Sequence, residues 1–135
     1  MIDTMSPEVA KLLEDKNLAF VATLMKNDWP QITPVWIDLV DGIILVNTAQ
    51  GRVKQRNVSR DPRVAISVVD RNNPYNMVTI QGRVTEQTTD GAEKHIDKMA
   101  KKYLGVDKYP FATPGEKRIL LKIEPLKIFH MAPRS

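Results

Sequence analysis

The chain has no cysteine, only six glycines, and just two tryptophans, three tyrosines and three phenylalanines in 135 residues. Without cysteine there are no disulfides, no thiolate nucleophile and no cysteine-based zinc or iron–sulfur site. The glycines never fall into the G-x-G-x-x-G or P-loop patterns, so neither of those phosphate-binding devices operates here. No apolar run approaches the ~20 residues needed to cross a bilayer, and the first residues lack a signal-peptide pattern. A cytoplasmic protein with no membrane partner is expected. The composition, 42% hydrophobic and 27% charged, suits one soluble domain over residues 1–135.

What is present is concentrated. The net charge is a modest +4, yet five cations and a single acid, Asp61, lie between Arg52 and Arg63. The segment contains no aromatic residue on which a base could stack, which argues against a nucleic-acid partner and for a compact anion. Upstream, Ile43 to Val46 reads as a strand. The chain turns at Gly51 and enters a helix loaded with positive charge. The start of a helix offers unpaired backbone N–H groups and the positive end of a dipole, and Arg52 and Lys54 add fixed charge. This chemistry describes a phosphate socket; a solvated basic helix face would have the same composition.

Around this segment the pattern is mainly β. Ser6 and Pro7 open a short helix with Val9, Leu12 and Leu13 as its apolar stripe. Leu18–Leu24 suits a buried strand, and Gln31–Val40 reads as a second strand, half-buried and marked by Pro34. Asp41-Gly42 signals a hairpin leading to Ile43–Asn47. The basic helix covers about Arg52–Ser59, ended by Asp61-Pro62. Arg63–Val69 and Tyr75–Thr85 are strands flanking a loop, and Thr89 or Asp90 caps a helix running to Tyr103. The last strand region is Arg118–Glu124 and Lys127–Met131, broken at Pro125. Six strands linked in series predict a mainly antiparallel barrel with short flanking helices.

Several runs resemble the FMN-binding split-barrel family, the group around pyridoxamine 5′-phosphate oxidase, and more closely its branch of factor 420 (deazaflavin) oxidoreductases. They are Gln31-Ile32-Thr33-Pro34-Val35-Trp36-Ile37, then Asn47 to Asn57, then Asp61-Pro62-Arg63-Val64, with Asn73-Pro74-Tyr75 and Gln81-Gly82-Arg83-Val84 in support. The resemblance spans about Pro7 to Met131. It implies a six-stranded antiparallel split β-barrel in a side-by-side homodimer, with a cofactor between the subunits. It implies that Arg52 and Lys54 hold the cofactor phosphate, supported by Thr48 and Asn57. It further implies that Thr33, Pro34, Val35 and Trp36 pass along the edge of the tricyclic ring, and that Tyr75 and Asn76, from the partner chain, wall the opposite side.

In such proteins the cofactor ring carries the hydride chemistry. In agreement, no nucleophile with an adjacent base and no paired carboxylates stand out, so no catalytic residue is assigned. His95 and His130 have no partner at ligand spacing, so no metal is expected. The expected activity is hydride transfer between reduced factor 420 and a small unsaturated acceptor. FMN in the same socket, serving an oxidase or flavin reductase, is the alternative. A further alternative is a non-catalytic protein that binds or stores flavin, deazaflavin or haem.

Overall fold

The structure, a computed structural model, describes residues 2–133. In chain order the elements are α1 (Pro7–Glu14), β1 (Ala19–Leu24), β2 (Pro30–Val35), β3 (Asp38–Val40), β4 (Ile43–Ala49), α2 (Val53–Arg60), β5 (Arg63–Asp70), β6 (Asn73–Thr88), α3 (Ala92–Leu104) and β7 (Arg118–Met131). All strands join one antiparallel sheet in the order β2-β1-β5-β6-β7-β4-β3. No helix among the described residues is long and apolar enough to cross a membrane.

The expected count of six strands is corrected to seven, and the sheet is not closed by hydrogen bonds. The difference lies in Gln31–Val40, which is two strands rather than one. At Ile37 the backbone leaves the ladder: its N–H donates to the Tyr103 hydroxyl at 3.1 Å, and its carbonyl accepts from Lys102 Nζ at 2.7 Å. The strand therefore breaks at Trp36–Ile37, sending β2 to one edge of the sheet and β3 to the other. Because only these two residues separate the edges, the sheet must curl until the edges come near each other.

At the other end of the chain, Pro125 does not end a strand. β7 runs through it, and the register slips so that Gln81 pairs with Lys127 but Gly82 with Pro125, leaving Leu126 bulged. Gly82 is required by the close approach: a Cβ there would lie 2.7 Å from Ile123 Cγ2. The Asp41-Gly42 hairpin forms as expected, with both residues at positive φ (52° and 78°).

Alternation along the strands sorts the side chains onto two faces. The inner face, with Val21, Ile66, Val68, Ile80, Val46, Leu121 and Ile123, packs on Val9, Leu12 and Leu13 of α1 to form the core. α1 is capped as read, Ser6 Oγ accepting from the Val9 N–H. The outer face carries Phe20, Ile32, Phe129 and Met131, all more than 40% exposed, beside an apolar groove of about 540 Å³ between Ala22, Ala65, Gly82 and Leu126.

Candidate functional site

Where β4 ends and α2 begins, the chain passes Thr48, turns at Gly51 (φ 86°) and enters the helix at Arg52. The N-cap is Arg52, whose side chain makes no capping hydrogen bond, so the first-turn amides of α2 lack the side-chain acceptor that Ser6 gives α1. Gln55 reaches back, and its Oε1 accepts from the Gly51 N–H at 2.9 Å and fixes the turn.

A cleft of about 270 Å³ opens beside this turn, lined by Thr48, Arg52 and Lys54, by Pro34, Val35 and Trp36 from the end of β2, and by Asn47, Tyr109 and Arg118 among others. Two of its polar groups have no partner among the described residues. The Thr48 hydroxyl oxygen is buried and makes no hydrogen bond. The Lys54 ammonium is in no hydrogen bond or ion pair found among the described residues, although it is only partly exposed. Burial, then the nearby Arg52 and Arg118, hold the Lys54 pKa below its ordinary value. A half-buried cation beside two others concentrates positive charge at this turn.

The third cation, Arg118, was not picked out from the sequence. Its side chain is 4% exposed and heads β7; Nε donates to Asn47 Oδ1 at 2.9 Å and Nη1 to Glu116 Oε1 at 2.8 Å. The guanidinium also lies over the Tyr109 ring, 5.1 Å from its centroid. Asn47 continues the network, donating from Nδ2 to Ala92 O at 2.8 Å and toward His95 Nδ1 at 3.2 Å. The other ring nitrogen of His95, Nε2, faces Asp38 Oδ2 at 2.9 Å. The sequence signal for Arg118 was faint: an arginine at the head of an apolar strand. Nothing local tied it to a turn some seventy residues earlier.

Trp36 forms one wall. It stacks on Tyr103 and meets Tyr109 edge-on at 6.0 Å, and Tyr109 meets Phe111 in the same way at 5.7 Å. The loop bearing these two rings is tied to α3, the Tyr109 N–H donating to Asp97 Oδ1 at 2.9 Å.

Six of the ten expected site residues therefore meet in one cleft: Pro34, Val35, Trp36, Thr48, Arg52 and Lys54. Thr33 adjoins it with a buried, unpartnered hydroxyl on the other side of the strand from Pro34. Asn57 is turned away: its Nδ2 donates to Thr23 Oγ1 at 3.0 Å and its Oδ1 accepts from Arg60, so it braces α2 against β1. Tyr75 and Asn76 sit at the β5–β6 hairpin, outside the lining; Tyr75 is 75% exposed, and Asn76 Oδ1 accepts from His130 Nε2 at 2.8 Å.

The chain also has known relatives. Residues 5–132 match the family described as pyridoxamine 5′-phosphate oxidase. Among solved structures, a factor 420 reductase is 25% identical with a TM-score of 0.78, over 88% of this chain and 94% of that one. A conserved hypothetical protein from Mycobacterium tuberculosis is 20% identical with a TM-score of 0.74, over 99% and 92% of the two chains. A putative pyridoxamine 5′-phosphate oxidase from Listeria innocua is 15% identical with a TM-score of 0.72, over 93% and 97%. No curated protein matches the chain significantly. Sequence match, sheet order and cationic cleft converge: the chain belongs to the pyridoxamine 5′-phosphate oxidase-like family of flavin-binding oxidoreductases.

Proposed function

We propose that the cleft binds the phosphate and ring edge of factor 420 and that the protein transfers hydride between this deazaflavin and a small unsaturated acceptor. The observation that carries the reading is the unpartnered pair at the mouth of α2, the Lys54 ammonium and the buried Thr48 hydroxyl. Lys54, Arg52 and the free amides of the helix start would hold the phosphate, and Thr48 would donate to one of its oxygens. Pro34, Val35 and Trp36 would border the ring, with Trp36 held in place by Tyr103. The bound cofactor supplies the hydride chemistry. The protein's part is to fix its position and keep water off one face. The likeness to a factor 420 reductase favours the deazaflavin; FMN is the second reading, favoured by the family as a whole.

The same reading makes the protein a homodimer. The outer sheet face exposes Phe20, Ile32, Phe129 and Met131, and Phe20 pairs with Pro34 on the rim of the cleft. A second copy seated there would cover exposed aromatic surface and complete the open side of the site, where Tyr75 and Asn76 of each copy are expected to serve the other.

Separate titrations with factor 420 and FMN, followed by ring fluorescence, test the cofactor. Binding of factor 420, with its reduced form oxidised by a conjugated enone, is the expected result. Binding of FMN alone overturns the deazaflavin assignment. Binding of neither overturns the functional reading, and binding of either ligand without turnover by any donor makes the protein a carrier.

A further inference from the structure

Among the described residues Glu116 is the single carboxylate paired with the cleft's arginines. Its side chain is 5% exposed, and one oxygen, Oε1, accepts from Arg52 Nη2 at 2.9 Å and from Arg118 Nη1 at 2.8 Å. The two arginines are held very differently. Arg118 is buried and also tied to Asn47 and Tyr109. The Arg52 side chain is 51% exposed, and Glu116 is its one hydrogen-bond partner among the described residues. Lys54, which lines the same cleft, has no counter-ion among the described residues.

We propose that Glu116 is an internal stand-in for the ligand's phosphate: it holds Arg52 in position in the free chain, keeps Arg118 throughout, and gives Arg52 up to the incoming phosphate. This rests on the reading of the cleft as a cofactor-phosphate site and makes Glu116 the residue that sets its anion affinity. A carboxylate oxygen and a phosphate oxygen ask for the same guanidinium geometry, so Arg52 can pass from one to the other by a side-chain rotation. The negative charge of Glu116 opposes the phosphate while its hydrogen bonds organise the site, and the two effects can be separated by substitution.

Glu116→Gln keeps an acceptor oxygen for both arginines and removes the charge. It should bind FMN or factor 420, whichever the unaltered chain binds, roughly three- to tenfold more tightly, as expected for removing a like charge a few ångströms from a phosphate. Riboflavin, or the phosphate-free deazaflavin riboside, should bind as before. A purely structural Glu116 would leave the phosphate-bearing ligand unchanged or weaken it, and either result overturns the proposal. Lys54→Ala run in parallel separates the two failures. If it weakens binding while Glu116→Gln does nothing, Glu116 has no such role and the site stands. If Lys54→Ala leaves binding of both phosphate-bearing ligands unchanged, the phosphate site itself is wrong. Should Glu116→Gln not fold, a crystal of the unaltered chain with FMN or factor 420 decides: Arg52 on the phosphate and off Glu116 supports the proposal, and Arg52 still on Glu116 overturns it.

Discussion

The rings of Trp36 and Tyr103 lie almost parallel, 5.4 Å apart with 7° between their planes. The same tyrosine takes the Ile37 N–H on its hydroxyl and donates to Asn17 O at 2.7 Å. One side chain thus holds both the strand break and the aromatic wall that follows from it.

Tyr103→Phe should keep the stacked ring and lose both hydrogen bonds. Folding stability should fall by about 1–3 kcal/mol, as for a buried N–H left unsatisfied, with a shift in Trp36 fluorescence. Urea denaturation measures the first. An unchanged midpoint would mean that Lys102 alone fixes the break.

Thr48→Val removes a buried hydroxyl that satisfies nothing in the free chain. Stability should stay level or rise by up to about 1 kcal/mol while cofactor binding weakens. Thermal melts with and without ligand check both halves; a large loss of stability in the free chain would contradict the orphaned state of the hydroxyl.

Lys54→Ala should weaken phosphate-bearing ligands by about 1.5–3 kcal/mol, the range for hydrogen bonds to charged groups. Since the Lys54 pKa lies below its ordinary value, the free site loses this charge at a lower pH than an exposed lysine would. Affinity measured on the alkaline side should therefore begin to fall early, and Lys54→Ala should flatten that decline.

Asp38 gives an acid-side prediction. Burial alone would raise its carboxyl, but hydrogen bonds and charge from His95 and Lys98 outweigh it and bring the pKa from 3.8 to about 2. A carboxylate depressed on folding stabilises the fold above its unfolded value and loses that contribution as pH falls toward the folded one. Between about pH 4 and pH 2 some 2 kcal/mol should disappear. Urea midpoints across this range should fall more steeply for the unaltered protein than for Asp38→Asn.

Phe20→Glu places a charge on the outer sheet face, where Phe20 is 43% exposed. If that face joins two copies, sedimentation should change from two chains to one, and ligand binding should weaken with it. Two chains persisting in the variant would move the interface elsewhere.

Local signals carried much of this in advance. The Ser6-Pro7 cap, the Asp41-Gly42 hairpin and the start of α2 after Gly51 each rest on neighbours within a few residues, and each formed as read. What escaped was set by distant partners. The break at Ile37 depends on Tyr103 and Lys102, far along the chain, so an alternating run looked like one strand. Arg118 joins the cleft, and Glu116 reaches its arginines, through the pairing of β7 with β4. Asn57 had a suitable residue type in a suitable place, and its direction was decided by Thr23 on a neighbouring strand.

The pairing of β4 with β7 also orders events in time. Thr48 sits opposite Ile119, and Ala49 opposite Arg118, so the cleft's floor joins segments from the middle and the end of the chain. The β1–β2, β3–β4 and β5–β6 hairpins can zip up as they leave the ribosome, but this seam closes only after β7 has been made, and such long-range closures are slow. A half-made chain therefore lacks the finished cleft. A ligand that binds the finished seam then clamps early and late segments together, and its capture marks the moment when folding is complete.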